Sequence, residues 1–243
     1  MISAEVTLDN WSAWAPGYET RQQWQQWQGD ISQIDDQGSP DMQFLPAMFR
    51  RRLSRLSKLA LATAFDCNTH QTAVSTVFAS RHGELTTSVK LLEDLADNSA
   101  LSPTKFSTSV HNTASGMYSI ASKDHSPSTA IAAGMDTLEM GFIEASCQLA
   151  SRKQNQVMLV LAEEPLHPHY RQYADMPEKS FALALLLSNR DKGLKLALKN
   201  ESSDEQITSQ QHGLSLISLL SGNKNNLNTR SEHYRWNWSL LRG

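Results

Sequence analysis

The chain has 243 residues, 40% of them hydrophobic and 19% charged, with a formal net charge of −3. That length suits one large or two small domains with a sizeable core, and the composition excludes a disordered chain. The slightly acidic balance argues against a general nucleic-acid partner or an anionic membrane surface.

Residues 2–8 alternate apolar and polar side chains, as a half-buried strand does. After Trp11 and Trp14 comes a polar helical segment in which Trp24 and Trp27, three apart, share a face. Residues 28–39, rich in Asp, Gln, Gly and Ser, form a loop. A helix is expected over residues 46–66, with Leu53, Leu56, Leu59, Ala60 and Ala64 as its apolar stripe. Residues 73–79 read as a strand rich in β-branched side chains. Residues 85–96 read as a helix turning Leu91, Leu92 and Leu95 inward, and residues 108–122 as a helix of small residues.

The run 128–134 turns at Ala133-Gly134-Met135-Asp136 into a helix over 136–154, and 157–162 is a buried strand closing on Glu163-Glu164. Strands at 181–188 and 194–199 look joined as a hairpin by a tight 189–193 connection. Beyond Asn200 the chain turns polar, apart from an apolar helix at 214–220 and a period-2 pattern of Tyr234, Trp236 and Trp238. Strands alternating with helices imply an α/β fold with a mixed, mostly buried sheet. Without an internal repeat or a long linker, a single domain over 1–243 is expected. Its core is about 46–199, with 1–45 and 200–243 packing on it.

No apolar run approaches the ~20 residues that span a bilayer, and the N-terminus lacks the layout of a signal peptide. A cytoplasmic protein is therefore expected. Cys67 and Cys147 both lie in apolar helical stretches and read as reduced core thiols.

A small-residue strand turning into a helix N-terminus is where α/β enzymes place a nucleophile, because free N–H groups there stabilise a thiolate or oxyanion. This turn carries no Cys or Ser at its tip, and the thioether of Met135 has no proton to lose. Ser115 lies inside a helix, where close helix approach is the simpler reading. Asp136 and Glu139 suit the dipole at a helix start. His167-Pro168-His169, with His125 elsewhere, is a weak metal signal without a neighbouring Cys/Asp cluster, so no metal or other cofactor is expected. Arg81-His82-Gly83-Glu84 ends a strand and reads equally as an interface or a solvated loop.

Ser102-Pro103, Asn112, Gly116 and Pro127 are spaced like the Ser-Pro, the interface-helix Asn and Gly, and the strand-opening Pro of a β-ketoacyl synthase, whose N-terminal half this segment resembles. Met135 then stands at that family's reactive cysteine, or Gly134 does on a one-residue slip. Arg50-Arg51-Arg52-Leu53-Ser54-Arg55-Leu56 and Phe78-Ala79-Ser80-Arg81-His82-Gly83-Glu84 extend the likeness, over about 46–188, to the short ketosynthase-like proteins of aryl polyene gene clusters.

The resemblance implies the N-terminal half only of a layered, thiolase-like α/β fold, with a mixed central sheet and flanking helices. The family's catalytic histidines belong to the other half, in contexts that His212 and His233 do not match. A non-catalytic chain-length factor is thereby implied, forming a heterodimer with an active β-ketoacyl-ACP synthase that supplies the Cys and both His. Lys105, Phe106, Asn112, Ala114, Gly116, Thr129, Ile131 and Ala132 would lie at the partner interface or acyl pocket, Phe106 being either pocket-limiting bulk or a core anchor. Arg51, Arg55 and Lys58, at helical offsets of four and three, form either a docking face for an acidic acyl carrier protein or a solvated face. Two rivals stay open: a stand-alone acyltransferase or hydrolase with an unrecognised Ser/His pair, and a structural partner without acyl contact. A tail too short to rebuild a second half also predicts, on burial grounds, a partner subunit over an apolar helical face.

Overall fold

The computed structural model describes residues 2–35, 37–151, 155–174, 178–202, 211–223, 226–232 and 234–242. Strand β1 (Ser3–Trp14) is followed by helices α1 (Arg21–Gln26), α2 (Ala47–Arg50) and α3 (Arg55–Cys67). Next come β2 (Ser75–Ala79), α4 (Leu85–Ala96), α5 (Pro103–Ser107), α6 (Thr113–Ser122), β3 (Ser128–Ile131), α7 (Thr137–Ala150) and β4 (Gln156–Glu163). The chain closes with β5 (Phe181–Ser188), β6 (Leu194–Ser202), α8 (His212–Leu220), β7 (Asn226–Arg230) and β8 (Tyr234–Arg242).

These strands form one sheet in the order β3-β2-β4-β5-β1-β6-β8-β7. β2 runs parallel to β3 and β4, and the other neighbouring pairs are antiparallel. β4 is apolar throughout because both of its faces are covered. Val157, Leu159 and Leu161 join Leu138, Phe142 and Leu149 of α7 on one side, while Met158, Val160 and Ala162 meet α3 on the other. On β5, Ala182 and Ala184 leave room for α3 to approach through Ala60 and Ala64. The mixed sheet with helices on both faces is the α/β architecture the sequence implied.

Several expectations change. The expected 46–66 helix is two helices, because the Ser54 hydroxyl accepts the Ser57 N–H at 2.9 Å and starts α3 afresh. The helix expected over 108–122 starts later: α6 begins at Thr113, after a separate short α5 that Ser102 caps and that ends at Ser107. The strand expected over 2–8 runs on to Trp14 through a register shift between Leu8 and Asn10. α7 covers Thr137–Ala150, and residues 152–154 of its expected extension lie outside the described residues. Leu92 and Leu95 do not turn inward; each is 58% exposed, while Val89 and Leu91 make the contact of α4 with the core. Cys67 is buried, its thiol pushed up to about 12 chiefly by that burial, whereas Cys147 is exposed and not a core thiol.

β5 and β6 are not a hairpin. Both pair antiparallel with β1, one on each side: Thr7 faces Ser188 of β5 and Lys195 of β6. The 189–193 connection steps over β1 at that residue, where the Thr7 hydroxyl donates to the Arg190 carbonyl at 2.6 Å. Gly193, at φ +132°, passes so close that a Cβ would lie 2.9 Å from Thr7 Cγ2. A tight link between two apolar strands looks the same in sequence whether or not a third strand lies between them.

The C-terminal segment covers the α7 face of the sheet. Trp236 and Trp238, two apart on β8, are 0% and 1% exposed, and the Trp238 ring meets Phe142 edge-on at 4.9 Å between centroids. The apolar face left open lies instead on α4, α5 and α6, where Leu92, Leu95, Phe106, Val110 and Ile120 are exposed. At Gly213 of α8, a Cβ would lie 2.4 Å from Phe181 Cε2 and 2.6 Å from Leu161 Cδ2. Gly213→Ala should therefore destabilise the fold by about 1–3 kcal/mol, the usual cost of overpacking. Urea unfolding measures this, and an unchanged midpoint would contradict the tight seat of α8.

Candidate functional site

β3 leads through Ala132 and Ala133 into a 3-10 turn, Gly134–Asp136, and directly into α7. Gly134 takes φ +57°, where a side chain would have space but a strained backbone. Thr137 locks the bend: its hydroxyl accepts from the Ala133 N–H at 3.0 Å and donates to the Gly134 carbonyl at 2.7 Å. The strand–turn–helix geometry of a nucleophile site is thus present. Its tip is half-buried Met135, which lines a small cavity of about 50 Å³ together with Leu138, Phe181, Arg81, Glu163 and His212.

The polar groups around this cavity are tied to one another. Glu163, at the end of β4, accepts the Arg81 backbone N–H at 2.9 Å. Although the residue keeps some exposed surface, desolvation of its carboxyl pushes it up to about 8, helped by the charge of Glu178 and opposed by Arg81. Burial acts on Glu178 in the same sense. The hydrogen bond from His82 at 3.4 Å, the Leu166 N–H at 2.7 Å and the nearby Arg81 nevertheless hold its carboxyl below the usual range. Glu84 is neither solvated nor at an interface: it is buried and accepts hydroxyls from Ser57 at 2.8 Å and Thr87 at 2.8 Å, joining the starts of α3 and α4.

Asp136 and Glu139 do more than complement a helix dipole. Trp236 Nε1 donates to Asp136 Oδ1 at 2.7 Å, and Thr229 Oγ1 donates to Glu139 Oε1 at 3.0 Å. His212 Nδ1 lies 2.9 Å from that same Glu139 oxygen, an ion-pair contact with the ring N–H off the line to it. His212 Nε2 is 3.2 Å from the Arg230 carbonyl, which can only accept, so both ring nitrogens face acceptors. Burial alone would lower the pKa of His212, but the Glu139 charge and these contacts raise it, favouring imidazolium. An imidazolium has no lone pair with which to act as a base. Sequence reasoning missed this cluster because its members lie far apart along the chain.

The other expected site residues divide by environment. Thr129 and Ile131 are half-buried on β3, the edge strand of the sheet, and Ala132 just beyond is exposed. Ala114 is half-buried while Asn112 and Gly116 are exposed around α6. Lys105 and Phe106 are exposed on α5, and Phe106, at 68%, is not a core anchor. Arg51, Arg55 and Lys58 do not share a helix face, because Arg51 ends α2 while the others belong to α3. Arg55 is tied internally to Glu164 at 3.1 Å and to the Gly38 carbonyl at 2.7 Å. Ser115, buried, donates to the Asn112 carbonyl at 3.0 Å within its own helix start. His233 lies outside the described residues. Two groups of possible metal ligands converge among the described residues: Asp136, Glu139 and His212 inside, and Glu93, His167 and His169 at the surface; His125 joins neither.

A carboxyl raised from 4.5 to about 8 binds its proton more tightly in the folded state. Its contribution is greatest below pH 4.5 and declines as pH rises through about 8. His212, also raised, adds stability below its ordinary 6.5 that is lost as pH rises through its folded value. Glu163→Gln should flatten the fall in Tm across this window and make the variant more stable than wild type at its alkaline end. Thermal melts measure both effects; an unchanged slope would refute the assignment.

No described helix is long and apolar enough to cross a membrane. None of the curated proteins compared with the chain matches it. A chain from the structure of the ketosynthase ApeO in complex with its chain length factor ApeC from Xenorhabdus doucetiae is 31% identical. That match covers 96% of this chain and 99% of the other, with a TM-score of 0.83. The ishigamide ketosynthase/chain length factor shares the fold at 15% identity and a TM-score of 0.66, covering 83% of this chain and 68% of that one. A structure of a type II PKS acyl-carrier protein in complex with its ketosynthase, AntDE:AntF, does so at 10% identity and a TM-score of 0.69, covering 99% and 100%. The family described as beta-ketoacyl synthase, N-terminal domain, matches residues 24–239, and this chain belongs to it.

Proposed function

We propose that this chain is a non-catalytic ketosynthase-like subunit, a chain-length factor that pairs with an active β-ketoacyl-ACP synthase. It shapes the acyl pocket during aryl polyene or fatty-acid-type chain elongation in the cytoplasm. The observation that carries this reading is the intact strand–turn–helix with Met135 at its tip. A ketosynthase needs a thiolate to carry the acyl chain and basic histidines to assist decarboxylation. Met135 offers no thiolate, and His212, which lines the same cavity, faces the Glu139 carboxylate and the Arg230 carbonyl with its two ring nitrogens. The likeness to a chain of a ketosynthase–chain length factor complex supports the same conclusion.

The proposed partner surface joins two features. β3 is a sheet edge with unpaired backbone groups, a template for pairing with another chain. Beside it in sequence, α4, α5 and α6 expose Leu92, Leu95, Phe106, Val110 and Ile120, a set of apolar side chains suited to a partner. On this reading Asn112, Ala114, Gly116, Thr129, Ile131 and Ala132 meet the ketosynthase, and Lys105 with Phe106 reaches its acyl pocket. Acyl carrier protein docking falls to the exposed Arg51 with the half-buried Lys58, since Arg55 is held by Glu164.

Co-expression with the ketosynthase should yield a complex that stays together on sizing. Ala132→Arg should weaken assembly by roughly a hundredfold or more, because a long charged side chain would be buried without a partner. The same variant should keep the wild-type Tm when purified alone, since Ala132 is exposed there. Intact-mass analysis of the isolated chain with acyl thioester should show no adduct. Covalent acylation, or turnover lost on mutating one serine, would instead establish an acyltransferase or hydrolase.

A further inference from the structure

We propose that Glu93, His167 and His169 form a divalent-metal site that clamps the loop after β4 onto α4, with Zn2+ as the ion it suits best. His169 Nε2 lies 2.9 Å and His167 Nε2 3.9 Å from the same oxygen, Glu93 Oε1. All three ligand atoms fall within 4.8 Å of one another. A tetrahedral Zn2+ with bonds of ~2.0–2.1 Å spaces its ligands about 3.3 Å apart, within side-chain adjustment of this arrangement. Two imidazoles and one carboxylate favour zinc, copper or nickel over magnesium and calcium, which take oxygen ligands.

The backbone presents the two rings together. Pro168 fixes its own φ and opens the 3-10 turn Pro168–Tyr173, with His167 at its N-cap, and the rings stand 5.1 Å apart at 45°. His167 is the least exposed of the three, with its side chain only 14% exposed and Nε2 no closer than 3.9 Å to Glu93. That nitrogen makes no hydrogen bond among the described residues, so its lone pair is free to take a metal, while Nδ1, buried without a partner, stays as it is. Glu93 and His169, at 44% and 67% side-chain exposure, leave the fourth position facing outward for water or a further ligand.

The buried Asp136–Glu139–His212 group is not the better site. Trp236, Thr229 and Trp238 already direct N–H and O–H donors at its carboxylates, and His212 faces an acceptor with each nitrogen. A cation there would compete with those donors for Asp136 Oδ1 and Glu139 Oε1, although Glu139 Oε2 has no hydrogen-bond partner among the described residues.

The test is calorimetric titration of the chelator-treated full chain with zinc chloride, paired with thermal melts. The chain should bind a single ion and gain Tm. His169→Ala and Glu93→Gln should each weaken binding roughly tenfold or more, with little change in the metal-free Tm because both side chains are exposed. Cobalt substitution should give a visible spectrum that both variants lose. No zinc binding by wild type would overturn the proposal, as would equal affinity in the two variants, which would move the ion to other residues.

Discussion

Glu139 is fully enclosed, and an enclosed anion must be met by donors or it destabilises the fold by several kcal/mol. Its donors come from the C-terminal segment, Thr229 on β7 and Trp238 on β8, with His212 at the start of α8 in ion-pair contact. One turn earlier, Asp136 receives Trp236. These contacts fix the register of β7 and β8 against α7 and seat α8 over Leu161 and Phe181. The helix that would carry a nucleophile at its start is therefore pinned at that start by the tail. The turn is held rigid although the side chain at its tip is a thioether.

Trp236 and Trp238, both internal, cover the α7 face from within, and the surface left uncovered includes the edge strand β3 and the exposed Leu92 and Leu95 of α4. The chain leaves a sheet edge and apolar side chains uncovered, while its own aromatic residues fill the α7 side of the sheet.

Those parts of the fold governed by local pattern were legible in the sequence. β4 reads as a buried strand because apolar residues fill both of its faces, and Trp236 and Trp238 share a face because strands repeat every two residues. The turn at Gly134 was legible because a run of small residues meets a helix start there, and the structure adds the positive φ of Gly134. What failed was decided by tertiary geometry. The apolar stripe from Leu53 to Ala64 hides the break that Ser54 imposes, and Leu92 looks like Leu91 until the core is seen to reach only one of them. The order β5-β1-β6 places a distant strand inside a short connection. In the Glu139 cluster His212 joins from 73 positions away, and in the Glu93 cluster the carboxylate lies 74 positions before His167, so spacing in the sequence announces only a fragment of each.

β1 is synthesised before either of its partner strands, and its ladders are made to the C-terminal third of the chain. Ser3 lies opposite Lys199, and Thr7 sits between Ser188 and Lys195. On the ribosome β1 must wait unpaired, with Trp11 and Trp14 uncovered, until both flanking strands have emerged. Closure over so long a separation costs entropy before any ladder bond repays it, which makes assembly of the sheet slow and late. During that interval β1 is an exposed apolar edge, the kind of segment that aggregates before the native fold can cover it.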